Sequence, residues 1–271
     1  MKVKARAKIN LFFQITGKRE DGYHLMESLV VFADNVFDEI EITEAEVNST
    51  SIAGGEFASL LIDEKNNLID KALEFFTKNM KYHCKLSKNI PIGAGLGGGS
   101  SDAAMVAKFL SANEDVTTEL LKIGADLPIC YYNSQAFCSG IGEIIEPIKN
   151  FPKLYLVLVN PREALITKDV FKNNTRLNTA LIQNKPKDFT DGLIDFISPL
   201  SNDLTESAIQ LMPEIQTILN IIKSQDFCLL SRMSGSGPTC FGIFRDSESA
   251  MAAQANIAKL YPNYWVKYTS A

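Results

Sequence analysis

The stretch from Pro91 to Ala104 limits most strongly what this chain can fold into. It reads Pro-Ile-Gly-Ala-Gly-Leu-Gly-Gly-Gly-Ser-Ser-Asp-Ala-Ala, and five of the chain's 16 glycines lie between Gly93 and Gly99. Glycine can turn tightly, adopt positive φ and lie close to a ligand. Because serine and aspartate are favoured N-cap residues, we expect a helix from Asp102 to Leu110. A glycine loop that leads into a helix N-terminus predicts a phosphate-binding loop.

Three other interpretations of this loop fit less well. A flexible linker would be diluted with polar residues rather than flanked by apolar segments. The glycines spell G-x-G-x-x-G from Gly93, but the dinucleotide-binding form needs an acidic residue at the end of a strand about 20 positions on. Glu114 and Asp115 lie near that distance, in a polar break between two helical stretches. The P-loop form needs a lysine where Gly99 stands.

Composition excludes several classes of function. A net charge of −5 argues against nucleic acid as the main partner. Five scattered cysteines without C-x-x-C spacing predict buried thiols in a reducing compartment, and two histidines make a histidine-built metal site improbable. The chain contains no apolar run long enough for a membrane span, and its N-terminus lacks the apolar block of a signal peptide. We therefore expect a cytoplasmic protein.

Residues 3 to 15 alternate between apolar and polar with period two, which predicts a half-buried strand. Lys8 and Asn10 are neighbours on its polar face. From this pattern alone, a solvated strand face is the expected environment for both side chains.

Two further motifs combine polar groups with a turn. Tyr23 and His24 lie where a charged turn meets a strand, and they form either a stacking platform or a half-buried strand end. Asp126 lies in the sequence Gly-Ala-Asp-Leu-Pro, just after a predicted helix. A local Asx-type hydrogen bond and a catalytic role both remain open for it. Pro128 disfavours a helical conformation at Leu127, which places Asp126 in a turn. We expect short strands within Ile129–Tyr132 and Ala136–Ile148.

The chain divides into two parts of different character. The polar, proline-containing stretch from Glu146 to Pro152 predicts a boundary between a domain of residues 1–150 and a domain of residues 151–271. Beyond it, strands alternate with longer helices, including one predicted from Asp188 to Ile197. The fold class expected for the whole chain is α+β.

Three clusters in this order resemble the GHMP kinase superfamily, which includes galactokinase, homoserine kinase and mevalonate kinase. They are Ala7–Leu11, Pro91–Ala104 and Met233–Pro238. Two shorter motifs, Asp21–His24 and Gly124–Pro128, resemble those of the members that act on 4-diphosphocytidyl-2-C-methyl-D-erythritol. The similarity extends over essentially the whole chain.

The resemblance implies a two-domain fold and a reaction. The N-terminal ATP-binding domain would be ribosomal protein S5 domain 2-like, and a ferredoxin-like C-terminal domain would cover the substrate. The family transfers the γ-phosphate of ATP, with Mg²⁺, to the tertiary C2 hydroxyl of the acceptor, a step towards isoprenoid precursors by the non-mevalonate route. The expected partners are ATP and cytidine diphosphate methylerythritol, without nucleic acid or membrane, and the chain would be a monomer or weak homodimer.

The resemblance also assigns roles to individual residues. Asp126 would be the catalytic base, and Lys8 would orient the acceptor hydroxyl and offset developing charge. Gly235–Gly237 would form a second glycine turn, and Ser100 or Ser101 would lie near Mg²⁺. The residues implied to bind ATP are Asn67, Leu68, Lys88, Pro91, Ile92, Gly93, Ala94, Gly95, Leu96, Gly97, Gly98, Gly99, Ser100 and Ser101. Those implied to bind the cytidine-containing substrate are Asn10, Tyr23, His24, Thr167 and Phe171.

Two rival functions remain open. One is another GHMP kinase, with homoserine or mevalonate as acceptor, although those acceptors have no base to stack against Tyr23 and His24. The other is a nucleotide-binding regulator without catalysis, although the presence of both Lys8 and Asp126 argues against it.

Overall fold

The computed structural model describes residues 1–61, 67–77, 79–112, 114, 116–177 and 179–271. A six-stranded sheet occupies the N-terminal part and has the order β3-β4-β2-β5-β6, with β1 paired to β2. The bounds of its strands are β1 (Lys2–Lys18), β2 (His24–Ala45), β3 (Ser49–Gly54), β4 (Lys81–Ser87), β5 (Ala136–Gly140) and β6 (Ile144–Pro147). Strands β3 and β4 are parallel, whereas the other pairs are antiparallel.

Four helices accompany this sheet: α1 (Leu68–Phe76), α2 (Gly98–Leu110), α3 (Thr117–Ile123) and α4 (Leu127–Tyr132). The Asn67 side chain caps α1 by accepting a hydrogen bond of 3.0 Å from the Asp70 amide. Helix α2 packs against α1, α4 and β1, which brings the glycine loop at its N-terminus next to the first strand.

The C-terminal part is an antiparallel sheet with the order β10-β7-β9-β8. Its strands are β7 (Tyr155–Asn160), β8 (Cys228–Met233), β9 (Cys240–Phe244) and β10 (Trp265–Ser270). Its helices are α5 (Thr167–Asn173), α6 (Leu193–Ile197), α7 (Thr205–Leu211), α8 (Glu214–Lys223) and α9 (Ser247–Leu260). Helices between β7 and β8 and between β9 and β10 give the β-α-β-β-α-β succession of ferredoxin-like domains.

Strand β1 is confirmed, but the expectation that its polar face is solvated is wrong. Lys8, Asn10 and Gln14 are all buried, as are the apolar residues from Ala5 to Ile15, whereas Lys4 is exposed. Helix α2 packs on β1, and the segment before α7 pairs with β1 at Phe13. Buried polar groups on a strand need hydrogen-bond partners. The side chains of Lys8 and Asn10 are therefore expected to have partners inside the protein or in a ligand.

The glycine loop leads into a helix, as predicted, but the helix begins earlier than expected. Helix α2 starts at Gly98, and its N-cap is Gly97 in the left-handed conformation, with φ of 63°. The expected start at Asp102 is therefore wrong, and both serines lie inside the first turn. Because the backbone itself adopts the capping conformation, no side-chain cap is needed.

Two other local predictions are wrong for identifiable reasons. The segment from Ile129 to Tyr132 is the body of α4 rather than a strand, because Pro128 lies in the first helical turn, where its missing N–H costs nothing. The helix predicted from Asp188 is confirmed only over Leu193–Ile197. Asp188 instead accepts hydrogen bonds from the Thr190 amide and hydroxyl, an Asx-type turn that competes with helix.

The proposed domain boundary stays a prediction. The first sheet ends at Pro147 and the second begins at Tyr155, on either side of the expected position. Two clusters of buried hydrophobic residues nevertheless contain side chains from both parts: one includes Phe13 and Val157, and the other includes Leu11 and Leu156.

The helices in the described ranges are all too short or too polar to cross a membrane. Asp115, one of the two acidic residues near the position that a dinucleotide-binding motif requires, lies outside the described ranges.

Candidate active site

The glycine loop turns its carbonyl groups towards the protein. The five carbonyl oxygens of residues 93–97 accept hydrogen bonds, in chain order, from the Leu165 amide, the Thr239 amide, the Ser234 hydroxyl, the Lys8 amide and the Ser101 amide. In the part of the chain that the structure describes, the amides of residues 93–100 donate to no protein acceptor. A loop with its acceptors engaged and its donors unused is suited to bind an anion.

Alternating side chains hold the loop in this orientation. Gly93, Gly95 and Gly97 have φ of 59°, 72° and 63°, a left-handed conformation at every second residue. The residues between them, Ala94 and Leu96, are buried. The loop is therefore anchored through its two apolar side chains, while positions that need glycine form the turns.

A second glycine turn, residues 233–238, packs directly on the first. A Cβ at Gly95 would lie 2.2 Å from the Ser234 carbonyl oxygen and 2.8 Å from the Gly237 nitrogen. The Asn202 amide supports this turn by donating to the carbonyls of Met233 and Gly235 at 2.8 and 2.7 Å. Asn202 was not singled out from the sequence, and Ser234 was included only as part of Met233–Pro238, since the importance of both depends on contacts with distant segments.

Lys8 and Asp126 meet beside the loop. The Lys8 ammonium donates to Asp126 Oδ2 at 2.9 Å, although the two residues lie 118 positions apart. The Lys8 amide donates to the Leu96 carbonyl at 2.8 Å, and a Cβ at Gly97 would lie 3.1 Å from Lys8 Cε. The backbone of the loop thus fixes the position of Lys8.

The Lys8–Asp126 pair joins a buried cation to a partly exposed carboxylate. The Lys8 side chain is 5% exposed and that of Asp126 is 40% exposed. Burial lowers the pKa of the Lys8 ammonium, but Asp126 outweighs burial and leaves the pKa above its ordinary value. Lys8 therefore keeps its charge at neutral pH, while the Asp126 carboxylate stays accessible to solvent.

An aromatic cluster lies at another part of the site. The rings of His24 and Phe171 have centroids 5.1 Å apart, and Phe13 meets Phe171 edge-on at 6.1 Å. Tyr23 is 55% exposed beside them in sequence. Burial, followed by the nearby Lys18 charge, lowers the pKa of His24. A neutral imidazole beside the half-buried ring of Phe171, with the exposed Tyr23 next to it in sequence, can stack against a flat ring and form hydrogen bonds to its edge.

Thr167 and Asn10 lie at the second glycine turn rather than in the aromatic cluster. The Thr167 hydroxyl is 2.8 Å from that of Ser236. Asn10 is fully buried and donates to the Ser28 hydroxyl at 2.8 Å, while its Oδ1 has no partner within the described residues. The cytidine-side assignment of Asn10 therefore receives no support from its position.

The residues implied to contact adenosine have different environments. Asn67 caps α1, and Leu68 is half-buried near Gly99, where a Cβ would lie 3.9 Å from Leu68 Cδ1. The Lys88 ammonium is buried, forms an ion pair with Asp38 and donates to Asp102 Oδ2 at 2.9 Å. The predicted adenosine contact of Lys88 stays a prediction.

Burial strongly affects Asp102 in this cluster. It raises the pKa of the Asp102 carboxyl to about 8, although Lys88 acts in the opposite direction and Asp38 adds to the rise. Asp38 and Lys88 were not paired from the sequence, because 50 residues separate them.

The two serines proposed near Mg²⁺ are not equivalent. The Ser101 hydroxyl donates to the Arg6 carbonyl at 2.7 Å and is buried, whereas Ser100 is only half-buried. Among the described residues, no group of three or more His, Cys, Asp or Glu is arranged to hold a metal ion. Of the two serines, Ser100 is therefore the more accessible to such an ion.

Comparison with known proteins agrees with this geometry. A sequence family described as the GHMP kinases N terminal domain matches residues 67–138, and one described as GHMP kinases C terminal matches residues 192–263. Together with the two glycine turns, these matches define a kinase of the GHMP type. The crystal structure of homoserine kinase from Cytophaga hutchinsonii shares the fold, with a TM-score of 0.65 at 15% identity over 100% of this chain and 94% of that one.

More similar proteins narrow the class. A 4-diphosphocytidyl-2-C-methyl-D-erythritol kinase of Roseobacter denitrificans is 39% identical over 99% of this chain and 93% of the relative. One from Paracoccus denitrificans is 40% identical over 97% of this chain and 93% of the relative. A crystal structure of 4-(cytidine 5'-diphospho)-2C-methyl-D-erythritol kinase superimposes with a TM-score of 0.77 at 25% identity, and each chain is covered in full. The chain belongs to the 4-diphosphocytidyl-2-C-methyl-D-erythritol kinase family.

Proposed function

We propose that this protein transfers the γ-phosphoryl group of ATP to the C2 hydroxyl of 4-diphosphocytidyl-2-C-methyl-D-erythritol. The observation that carries the proposal is the 2.9 Å contact between Lys8 and Asp126 beside a loop whose amides at residues 93–100 have no acceptor among the described residues. Phosphoryl transfer depends mainly on alignment and on stabilisation of negative charge. The site combines groups for both tasks.

In this proposal, the loop binds the triphosphate through its amides and the N-terminus of α2. The acceptor hydroxyl lies against Asp126, whose carboxylate takes the proton as the hydroxyl oxygen bonds to the γ-phosphorus. The bond between the γ-phosphorus and the bridging oxygen breaks, and ADP leaves. Lys8 holds the carboxylate in place and offsets charge on the transferred group.

The aromatic cluster supports the choice of acceptor. Phe171 and Tyr23 offer ring faces to a cytosine, and the neutral His24 offers a donor and an acceptor to its edge. Thr167 lies between this cluster and the second glycine turn, where the rest of the acceptor would pass. Acceptors without a base, such as homoserine, would leave the cluster unused.

Mg²⁺ enters as part of the Mg·ATP substrate. Ser100 fits beside the metal better than Ser101, whose hydroxyl is already donated to Arg6. We also propose that the protein works in the cytoplasm as a monomer or weak homodimer, which size-exclusion chromatography across a range of concentrations would test.

The test is incubation of the purified protein with Mg·ATP and the cytidine diphosphate acceptor, with the product identified by mass. We expect one added phosphoryl group on the acceptor and stoichiometric ADP. Homoserine and mevalonate serve as comparison acceptors. Equal or faster transfer to either of them would overturn the choice of acceptor, and ATP binding without transfer to any acceptor would favour a regulator.

A further inference from the structure

Three charged side chains form a sealed cluster beneath the start of α2. Lys88 forms ion pairs with Asp38 of β2 and Asp102 of α2, and none of the three side chains is more than 4% exposed. The cluster is separate from the Lys8–Asp126 pair, and no step of the proposed reaction uses it. A buried ion pair adds little stability compared with an apolar replacement of similar shape, so stability alone does not explain its presence.

The cluster holds the segments on both sides of the glycine loop. Asp38 Oδ1 accepts hydrogen bonds from the amides of Asn89 and Ile90 at 2.5 and 2.9 Å, just before the loop begins. On the other side, a Cβ at Gly98 would lie 2.9 Å from the Lys88 ammonium nitrogen. Asp102 follows one turn later in the same helix. Both ends of the loop are thus tied to one ammonium group.

The charges of the cluster fit this location. A lone cation beneath a helix N-terminus would oppose the helix dipole, whereas carboxylates there are favourable. The Asp38 carboxylate and the Asp102 carboxyl group around Lys88 offset this conflict and fix the direction of its N–H groups. Because the ammonium is enclosed, it cannot extend to a nucleotide base.

We propose that Lys88, held by Asp38 and Asp102, is a positioning residue for the triphosphate rather than a contact for adenosine. It fixes the two ends of the glycine loop, and therefore the directions of the loop amides. This inference rests on the proposed function only in taking the loop as the binding site for the phosphates of ATP. Its consequence is that loss of Lys88 weakens every triphosphate equally, whatever base is attached.

The experiment compares the binding of Mg·ATP, Mg·GTP and inorganic tripolyphosphate to the wild type and to Lys88→Met. Displacement of a fluorescent ATP analogue reports all three affinities. We expect Lys88→Met to weaken all three by the same factor, roughly tenfold or more, because a displaced loop misaligns its amides. A loss confined to Mg·ATP, or an unchanged affinity for tripolyphosphate, would overturn the proposal.

A second variant separates positioning from general damage. The triple substitution Asp38→Asn, Lys88→Met and Asp102→Asn removes the cluster without leaving a buried charge unpaired. We expect it to fold even if Lys88→Met alone does not, and to show the same base-independent loss of affinity. Wild-type affinity for tripolyphosphate in this folded variant would overturn the proposal.

These measurements use no acceptor. Failure of phosphoryl transfer to the cytidine diphosphate acceptor would therefore contradict the proposed function while leaving the binding result intact. Conversely, a base-dependent loss on removing Lys88 would contradict only the positioning role.

Discussion

The two lysines next to the glycine loop have the same kind of partner but different access to solvent. Lys8 pairs with Asp126, whose side chain is 40% exposed, whereas Lys88 pairs with Asp38 and Asp102, whose side chains are 0% and 3% exposed. In both cases carboxylates outweigh burial and raise the pKa of the ammonium. The difference teaches that an accessible carboxylate allows chemistry, whereas enclosed carboxylates only maintain geometry.

The largest effect is expected at the accessible carboxylate. Asp126→Asn keeps the shape of the side chain but removes its ability to take a proton, so we expect turnover to fall roughly a thousandfold. ATP affinity and thermal stability should change little, because the loop amides do not depend on Asp126. Steady-state kinetics, ATP titration and a melting curve check this.

The exposed Asp191, just before α6, provides a matched control, since Asp191→Asn removes one carboxylate that is not among the residues of the candidate active site. It should leave turnover unchanged. Wild-type turnover in Asp126→Asn would instead show that Asp126 is not the base. It would also contradict the claim that the accessible partner of Lys8 takes part in chemistry.

The enclosed lysine should dominate stability. Lys88→Met leaves the buried Asp38 carboxylate without its counter-ion and Asp102, whose pKa is already raised to about 8, without its ammonium partner, and we expect the free energy of unfolding to fall by about 3–5 kcal/mol. Lys8→Met leaves Asp126 able to rehydrate, so its loss should stay within about 1 kcal/mol. Urea denaturation of both variants measures the two losses in free energy of unfolding. Equal losses would show that the exposure of the acidic partner does not determine how much stability each lysine contributes.

In the glycine loop, we expect a substitution at Gly97 to weaken ATP binding and a substitution at Gly99 to have little effect. At Gly97, φ of +63° and a Cβ position 3.1 Å from Lys8 Cε make any side chain unfavourable. Gly97→Val should weaken ATP binding roughly tenfold, the equivalent of about 1–2 kcal/mol of left-handed backbone strain.

Gly99→Ala is the matched control for Gly97, because among the described residues a Cβ there would meet Leu68 Cδ1 alone, at 3.9 Å. ATP titration of both variants gives the result. Similar losses at the two positions would contradict the interpretation that conformation, rather than glycine content, makes the loop a phosphate site.

The smallest effect is expected at His24, away from both lysines. Burial and Lys18 lower its pKa, so the ring is neutral at pH 7 and becomes charged only below its ordinary value of 6.5. The folded protein disfavours the protonated form of His24. Hydrogen bonds that need the neutral ring are therefore lost as the pH falls. We expect the KM for the cytidine acceptor to rise several-fold between pH 7 and pH 5.

The control is His24→Gln, which keeps polar groups but does not titrate in this range. Its KM for the acceptor should be independent of pH, and the KM for ATP should be flat in both proteins. A rise that persists in His24→Gln would assign the pH dependence to another group.

Much of this site could be predicted from local sequence, and the rest depends on long-range contacts. The glycine loop and strand β1 were identified because their signals lie within a few consecutive residues. The start of α2 was misplaced because backbone conformation at Gly97 replaced a side-chain cap. The Lys88 cluster was missed because Asp38 comes from a distant strand. The periodicity of a sequence does not indicate which buried acidic residue forms an ion pair with a given lysine.

Resemblance supplied what spacing could not. Asp126 and Lys8 are 118 residues apart, and nothing in either motif indicates that they touch. The structure brings them together through the packing of α4 and β1 on α2. Their roles in catalysis stay predictions until the variants above are measured.

One remaining contact joins the two parts of the molecule without any acid. The buried Arg232 guanidinium of β8 donates to the carbonyls of Leu11, Ile197 and Leu200. Burial lowers its pKa, but only to about 10, so the group stays protonated throughout the physiological range. While acidification can neutralise a carboxylate, it leaves this arginine and its backbone acceptors unchanged. This arginine contact between the first strand and the C-terminal sheet is therefore insensitive to acidification.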